Sequence, residues 1–271
     1  MLENFFILLT EISPKLKRKL WRWWYDLLAN SYQKPDLQFM NYGFDDFNSE
    51  LKPLILSPED EANRYYIQLY QYVSSTTDLK GKKVLEVGCG RGAGAFFLAK
   101  TFSPEEIKGV DLSSENITVA NKLYQHHNLS YLQGDSENLP FADNSFDVII
   151  NVESSHCYGS MTKFMQEVAR VLKPNGIFSW ADLRPIGDLN KLNISFTKSG
   201  LKEIKRKEIT ANVIRALELV NDTKQNLINT NVPKFLRQAV AEFAGMKEGK
   251  IYNGFVKGEI IYLSCVFTKV E

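Results

Sequence analysis

The stretch Lys82–Phe97, which reads KKVLEVGCGRGAGAFF, decides the fold of this chain. Val84, Leu85 and Val87 form a short apolar run with β-branched residues, which predicts a buried parallel strand. Alternating glycines follow, and an apolar run at 95–99 then takes up helical spacing. A glycine turn between a buried strand and a helix N-terminus brings bare backbone close to a ligand, so we expect a ligand site here.

The spacing of the glycines separates this turn from other nucleotide-binding turns. A Walker-type phosphate loop needs Lys and then Ser or Thr after its last glycine, whereas Ala95 and Phe96 follow Gly94. Triphosphate binding is therefore not expected. A dinucleotide turn has the pattern G-x-G-x-x-G, but here Glu86 precedes an evenly spaced series of glycines that begins at Gly88.

Three later segments place polar residues at the ends of predicted strands. The segment 107–112 carries Asp111 about 20 residues past the glycines, where a doubly wound fold sets a carboxylate against ribose hydroxyls. Helix capping is the alternative role for Asp111. The segment 130–136 ends in Gly-Asp-Ser, and 145–153 reads SFDVIINVE before the turn 170–176, RVLKPNG.

These five motifs, in this order, resemble class I S-adenosylmethionine (SAM) methyltransferases. The resemblance implies an α/β fold: a doubly wound, seven-stranded, mostly parallel Rossmann-like sheet with helical N-terminal and C-terminal caps, and SAM as the cofactor. It also implies that an N-terminal Asn-Tyr-Gly turn folds over the cofactor, although the aromatic of that turn has the alternative role of only closing the turn. The cofactor-binding residues expected on this basis are Tyr42, Glu86, Gly88, Cys89, Gly90, Gly92, Asp111, Leu112, Gly134, Asp135, Ser136, Asn151 and Val152.

The candidate catalytic residues follow the fourth predicted strand, in the segment 153–158, ESSHCY. This segment lies at the carboxyl edge of the sheet, where doubly wound folds bind ligands. An unperturbed histidine pKa of ~6.5 suits a general base, so we predict that His156 is catalytic; a pocket-wall histidine is the alternative. Glu153 is predicted to orient the imidazole or to cap a helix. Tyr158 and Asp182 are predicted to line the acceptor pocket.

The ESSHCY segment resembles the ExxH turn of small-molecule O-methyltransferases, including phthiotriol-type lipid and bacterial fatty-acid O-methyltransferases, and the resemblance extends from about Phe39 onward. It implies SAM-dependent O-methylation of a hydroxyl on an apolar small molecule, lipid or polyketide-like product, with His156 as base. Three alternatives stay open: a fatty-acid carboxyl methyltransferase, which needs no base; a sterol-like C-methyltransferase; and a SAM-binding scaffold without turnover.

Composition argues against several other classes. The chain has 271 residues, of which 44% are hydrophobic and 24% charged, and its formal net charge is +1. This is the composition of an ordinary globular protein without the basic field that attracts nucleic acid, so no nucleic-acid partner is expected. No zinc-type Cys/His spacing occurs, and no metal is expected. Three cysteines far apart in sequence indicate reduced thiols and a cytoplasmic location.

The N-terminal segment is unusual because Trp21, Trp23 and Trp24 stand beside basic residues. Its apolar stretch is much shorter than the ~20 residues that span a bilayer. The pattern is interpreted first as a helix that packs on the core or roofs the pocket, and a helix in a membrane interface is the alternative. The expected partner is an apolar small-molecule substrate. Two further candidate partners are a membrane surface, contacted through residues 1–30, and a second copy in a homodimer.

The motifs also divide the chain into predicted regions. In chain order these are an amphipathic aromatic and basic helical segment (1–35), an N-terminal lid (36–80), the SAM-binding α/β core (81–210), a helical substrate cap (211–250) and the final strand of the core (251–271).

Overall fold

Seven strands form one sheet in the computed structural model, which describes residue 13, residues 16–20 and residues 38–270. In chain order they are β1 Lys83–Val87, β2 Glu106–Asp111, β3 Leu129–Gln133, β4 Phe146–Val152, β5 Leu172–Pro185, β6 Lys202–Glu208 and β7 Ile260–Thr268. Their order in the sheet is β3-β2-β1-β4-β5-β7-β6, and only β7 runs antiparallel to its neighbours. The predicted doubly wound, seven-stranded, mostly parallel fold is confirmed.

Helices flank this sheet. They are α1 Pro58–Glu61, α2 Arg64–Ser74, α3 Ala93–Phe102, α4 Ser114–Leu123, α5 Met161–Val171, α6 Leu189–Lys198, α7 Thr210–Asn231, α8 Arg237–Phe243 and α9 Lys250–Val256. Residues 16–20 are also helical. Short 3₁₀ turns occur at Ser155–Cys157, Ile186–Asp188 and Lys234–Leu236. Among the described residues, no helix has the length and apolar character that a membrane span requires.

The final strand is shorter than predicted. The sequence pattern assigned residues 251–271 to it, but α9 occupies most of the first part of that range. Gly258, with φ of 71°, then turns the chain before β7 begins at Ile260. Glycine suits this left-handed turn because it has no Cβ. The predicted interfacial tryptophans Trp21, Trp23 and Trp24 lie outside the described residues.

The sheet is buried on both faces. On β1, Val84 belongs to the core cluster shared with α2 and α3, and Leu85 belongs to the cluster shared with α5 and α6. Both side chains are fully buried. Successive side chains of a strand point to opposite faces, so two helical layers cover the sheet and its carboxyl edge is the place left for a ligand.

The strand order reverses between β1 and β4, which are parallel neighbours. The chain after β1 continues to β2 on one side of this pair, and the chain after β4 continues to β5 on the other side. In an open α/β sheet this reversal leaves a crevice at the carboxyl ends of the two strands. The glycine turn and the ESSHCY segment therefore meet at the same place.

Candidate active site

The glycine turn after β1 forms one wall of an open cavity. Gly88, Gly90 and Gly92 have φ values of 74°, 52° and 90°, a region in which side chains are strained. At Gly88 a Cβ would also lie 2.3 Å from the Ser154 Oγ and 2.7 Å from the Tyr158 hydroxyl oxygen. The turn after β1 and the segment after β4 therefore pack too closely for any side chain at Gly88.

Most of the predicted cofactor-binding residues line this cavity. Those on its wall are Gly88, Cys89, Gly90, Asp111, Leu112, Gly134, Asp135, Ser136 and Val152. Of the predicted catalytic and acceptor residues, Glu153 and Tyr158 are on the wall as well. The strand ends and the glycine turn thus bring together residues that are far apart in sequence.

Four predicted cofactor-binding residues, Tyr42, Glu86, Gly92 and Asn151, are not among the residues that line the described cavity. Glu86 is fully buried and accepts a hydrogen bond of 2.7 Å from the Tyr70 hydroxyl, and burial raises its pKa to about 7. Asn151 is also fully buried, and its amide donates to the Val87 carbonyl at 2.8 Å. Glu86 and Asn151 therefore lie behind the cavity wall, where their hydrogen bonds stabilise the ends of β1 and β4.

Asp111 joins the end of β2 to the glycine turn. Its Oδ2 accepts a hydrogen bond of 2.9 Å from the Gly90 N–H, and its Oδ1 accepts one of 2.9 Å from the Ser113 N–H. The Ser113 hydroxyl accepts from the Asn116 N–H and is the N-cap of α4. Because Ser113 caps this helix, the carboxylate of Asp111 stays at the cavity wall.

Arg18 reaches the cavity from the described part of the N-terminal segment, residues 16–20. Its guanidinium forms an ion pair with Asp135 and lies 3.5 Å from a carboxylate oxygen of Glu137. Nothing in the sequence distinguished Arg18 from the basic residues beside it. The contact places Arg18 on the wall of the cavity, and the roofing role of this segment stays a prediction.

His156 lies on the 3₁₀ turn Ser155–Cys157, and residues of the cavity wall both precede and follow it in the chain. Its Nδ1 is 2.8 Å from Oδ1 of Asp182, and its backbone N–H donates to Oδ2 of Asp182 at 3.0 Å. The imidazole is not on the wall of the described cavity, but its side chain is 25% exposed. The turn thus holds the ring against the Asp182 carboxylate and leaves a quarter of the side chain exposed.

Asp182 is not among the residues that line the described cavity, and its place in an acceptor pocket stays a prediction. Asp182 belongs to β5 and is fully buried, and its carboxylate faces the imidazole of His156. Its position follows from the pairing of β4 with β5, which sets Val152 opposite Ala181 and the next residue of β5 beside the turn after β4. Asp182 is therefore the residue that orients His156.

Glu153 has a different environment from the one predicted. It adopts φ of 47°, and its Oε2 accepts hydrogen bonds from the Tyr42 backbone N–H at 2.8 Å and the Tyr262 hydroxyl at 2.9 Å. Burial raises the pKa of Glu153 to about 8, even though these two hydrogen bonds lower it. Both predicted roles, orienting His156 and capping a helix, are replaced by a link between the N-terminal turn and β7.

Tyr42 therefore acts on the site through its backbone. Its N–H binds Glu153, while its hydroxyl donates to the Phe243 carbonyl at 3.1 Å and its ring meets Phe255 edge-on. These contacts tie the Asn-Tyr-Gly turn to the helices that lie between β6 and β7 in the chain. Contact between the Tyr42 side chain and the cofactor remains a prediction.

Three alternate residues of β5 support the His156 turn, and only Asp182 among them was predicted from the sequence. The Trp180 indole N–H and the Arg184 guanidinium both donate to the Ser155 Oγ, at 2.9 and 2.7 Å. The Ser155 hydroxyl in turn donates to Asp182 Oδ2 at 2.7 Å. A signal existed in the sequence: the spacing Trp-x-Asp-x-Arg puts all three side chains on one face of a strand.

The electrostatics of the pair favour charge on both partners. Burial lowers the pKa of the His156 imidazole, but the Cys157 sulfur and the Asp182 carboxylate outweigh burial and raise it to about 10. Burial raises the pKa of Asp182, but the Arg184 guanidinium and the imidazole outweigh it and hold that pKa below the usual range. Near neutral pH the pair is therefore an imidazolium and a carboxylate.

The polar groups on the wall of the cavity suit a nucleoside cofactor. Gly88 and Gly90 line the cavity without side chains, so bare backbone faces a ligand there. The Asp111 and Asp135 carboxylates, after neighbouring strands, offer acceptors for ribose hydroxyls and an adenine amino group. In the described part of the chain no group of three or more His, Cys, Asp or Glu is placed to hold a metal ion.

Comparisons with known proteins agree with this geometry. Residues 85–180 match the family described as a methyltransferase domain. The chain is 36% identical over 257 residues to a phthiotriol/phenolphthiotriol dimycocerosates methyltransferase of Mycobacterium leprae, which covers 95% of this chain and 94% of that protein. It is 38% identical over 208 residues to a fatty-acid O-methyltransferase of Mycolicibacterium smegmatis, covering 77% of this chain and 75% of the relative.

Among solved structures, the cyclopropane synthase MmaA2 from Mycobacterium tuberculosis aligns with a TM-score of 0.70 at 14% identity, over 90% of this chain and 95% of that one. At this identity the likeness shows the fold alone. The family rests instead on the relatives that match along most of the chain at more than 30% identity. The chain therefore belongs to the class I methyltransferases, enzymes whose cofactor is S-adenosyl-L-methionine.

Proposed function

We propose that this enzyme transfers a methyl group to a hydroxyl of a lipid or another apolar small molecule, with His156 as the general base. The observation that carries the proposal is the imidazole held by the buried Asp182 on the turn beside the cavity. SAM, when bound, supplies an electrophilic methyl group on a sulfonium sulfur. A hydroxyl attacking that carbon must lose a proton, and a positioned imidazole accepts it.

Asp182 orients the ring for this task. Because Asp182 holds Nδ1, we assign proton removal to Nε2, on the opposite side of the ring. Two further hydrogen bonds to Asp182, from the His156 backbone N–H and the Ser155 hydroxyl, fix the turn that carries the ring. The acceptor oxygen must lie ~3 Å from the methyl carbon in line with the sulfur, so a rigid turn contributes directly to the rate.

The apolar acceptor follows from the wall of the cavity and from the relatives. Phe39, Met40, Val152 and Tyr158 contribute apolar surface to the wall of the cavity. The names of two relatives refer to phthiotriol dimycocerosates and to fatty acids. A lipid or lipid-like acceptor fits both observations.

Carboxyl methylation is the second candidate, because the raised pKa of His156 leaves its imidazole charged near neutral pH. A charged imidazole suits a carboxylate acceptor as its counter-ion, and a carboxylate needs no base. The relative named a fatty-acid O-methyltransferase gives this candidate a specific precedent. The two candidates differ in how the rate depends on pH.

We expect methylation of a hydroxyl acceptor to rise about tenfold per pH unit below the pKa of His156, which is about 10. Only the neutral imidazole accepts a proton, and its fraction grows with pH until that pKa is reached. Methylation of a carboxylate is expected to show no such rise and to decline above pH 10, because the counter-ion is lost. Labelled SAM and panels of apolar alcohols and fatty acids test this at each pH.

The His156→Asn variant is the control for this profile, because Glu153 and Lys224 also titrate, with pKa values of about 8. If His156 is the base, the rise with pH disappears in the variant. A rise that persists in His156→Asn assigns the titration to another group. A pH-independent rate for the wild-type enzyme with alcohols contradicts the proposal as well.

Peripheral membrane contact belongs to the same proposal, since a lipid acceptor resides in a membrane. We expect replacement of Trp21, Trp23 and Trp24 by Ser to lower partitioning onto lipid vesicles by about tenfold or more, because interfacial tryptophans bury apolar surface in the headgroups. Vesicle sedimentation measures the partitioning. The substitutions do not remove Arg18 or its ion pair with Asp135. Equal sedimentation of the wild-type and substituted proteins contradicts the proposed membrane contact.

A further inference from the structure

Arg184, near the end of β5, is a buried cation beside the His156–Asp182 pair. It is 7% exposed, and its Nη1 lies 3.1 Å from Oδ2 of Asp182. Its Nη2 donates to the Ser155 hydroxyl at 2.7 Å, and its guanidinium carbon lies 5.2 Å from the ring centroid of Trp180. The guanidinium is therefore held by an ion pair, a hydrogen bond and a ring face at once.

We propose that Arg184 makes His156 easier to deprotonate, because it shares the negative charge of Asp182 with the imidazole. The catalytic consequence rests on the proposed function, in which His156 is the base. The charge sharing itself does not depend on the reaction. Arg184 is thus a positioning residue, since it acts on the imidazole through Asp182.

The two oxygens of the Asp182 carboxylate contact two different cations. Oδ1 of Asp182 is 2.8 Å from Nδ1 of His156, and Oδ2 is 3.1 Å from the Arg184 guanidinium. Two cations on one buried carboxylate each receive less stabilisation than a single cation would, and they also repel each other. A guanidinium does not lose its proton in proteins, so the imidazole is the partner that responds. Removing Arg184 therefore raises the pKa of His156.

Other charged and titratable groups also face this pair. Glu153 precedes the turn, and burial raises its pKa to about 8, so it is mostly neutral at pH 7. The Cys157 thiol lies on the turn itself. Lys17, from residues 16–20, faces Asp182 and Arg184, and burial lowers its pKa. Among these groups Arg184 forms the ion pair with Asp182. Removing the charge of Arg184 is therefore the direct test of charge sharing.

The experiment measures the pKa of His156 directly. The chain has three histidines, so ¹³C- or ¹⁵N-histidine labelling gives a simple spectrum, and His156→Asn identifies the His156 signal. We expect Arg184→Met, which keeps a long apolar stem against Trp180, to raise the His156 pKa by about one unit or more. An unchanged or lower pKa in a folded Arg184→Met chain overturns the proposal.

Two variants separate charge from packing. Arg206→Met is the matched control, because Arg206 also stacks on an aromatic ring, at 5.7 Å from the Phe196 centroid, and pairs with Glu203. It is expected to leave the His156 pKa within a few tenths of a unit. Arg184→Lys keeps the charge and is expected to stay close to wild type. If Arg184→Met does not fold, Arg184→Lys tests the proposal instead. A rise of a full unit in the His156 pKa of Arg184→Lys contradicts charge sharing.

The pH profile of methyl transfer then separates the two proposals. If His156 is the base, the pH at which the rate levels off moves upward with the pKa measured by NMR, and kcat at pH 8 falls about tenfold in Arg184→Met. If the NMR pKa rises and the rate profile does not follow, charge sharing stands and the base assignment fails. A uniform loss of rate at every pH, with no change in the NMR pKa, overturns the inference about Arg184.

Discussion

Replacing His156 with Ala is expected to lower kcat for a hydroxyl acceptor by about 10²-fold or more, while the affinity for SAM stays unchanged. The loss follows from removing the group that is proposed to accept the hydroxyl proton. The affinity is preserved because His156 is not among the residues that line the cavity beside the glycine turn. Single-turnover transfer from labelled SAM gives the rate, and titration calorimetry gives the affinity.

The exposed His127 supplies the control for this substitution, since His127→Ala removes an imidazole that lies far along the chain from the ESSHCY segment. His127→Ala is expected to retain the full rate. Asp182→Asn is expected to lower kcat as well, because the amide no longer stabilises the imidazolium formed when the proton arrives. A His156→Ala enzyme that methylates alcohols at nearly the wild-type rate contradicts the base assignment and favours carboxyl methylation.

Gly88→Ala is expected to weaken SAM binding by about 10²-fold, which corresponds to about 2.7 kcal/mol. Two costs combine at this position. The residue adopts φ of 74°, which costs an alanine about 1 kcal/mol, and the new Cβ lies 2.3 Å from the Ser154 Oγ and 2.6 Å from its Cβ. The turn must then move away from the segment after β4, which displaces the backbone that faces the ligand. Calorimetric titration with SAM measures the loss.

Gly81→Ala separates the two costs, because Gly81 has a similar φ of 67° and no atom lies within 4 Å of a Cβ built there. That control is expected to lose about 1 kcal/mol of stability and to keep its SAM affinity. Adding Ser154→Gly to Gly88→Ala removes both clashing serine atoms and is expected to recover part of the affinity. If Gly88→Ala and Gly81→Ala bind SAM with equal affinity, the close packing at Gly88 does not contribute to SAM binding.

Much of the cofactor wall was readable from the chain because its determinants are local. A short β-branched run before glycines predicts a buried strand and a left-handed turn, whatever the rest of the protein does. The regular alternation of strands and helices then places Gly88, Asp111 and Asp135 at one edge of the sheet. The wall of the cavity contains all three residues.

The partners of the candidate catalytic histidine could not be predicted in the same way. Glu153, three residues before His156, was the obvious carboxylate for the imidazole, but the structure assigns that role to Asp182, 26 residues further along the chain. The choice depends on the register of β4 against β5, which pairs Val152 with Ala181. A shift of one residue would turn Asp182 to the opposite face of the sheet.

The amino-acid sequence by itself thus determined the sheet, the glycine turn and the edge at which a ligand binds, because strand patterns and glycine conformations depend on neighbouring residues. Tertiary structure alone decided which side chains act together there. Arg18 reaches Asp135 across 117 residues, and Arg184 and His156 share Asp182 through strand pairing. Such contacts arise from long-range packing, and a local pattern carries no information about the distance between residues that only the folded chain brings together.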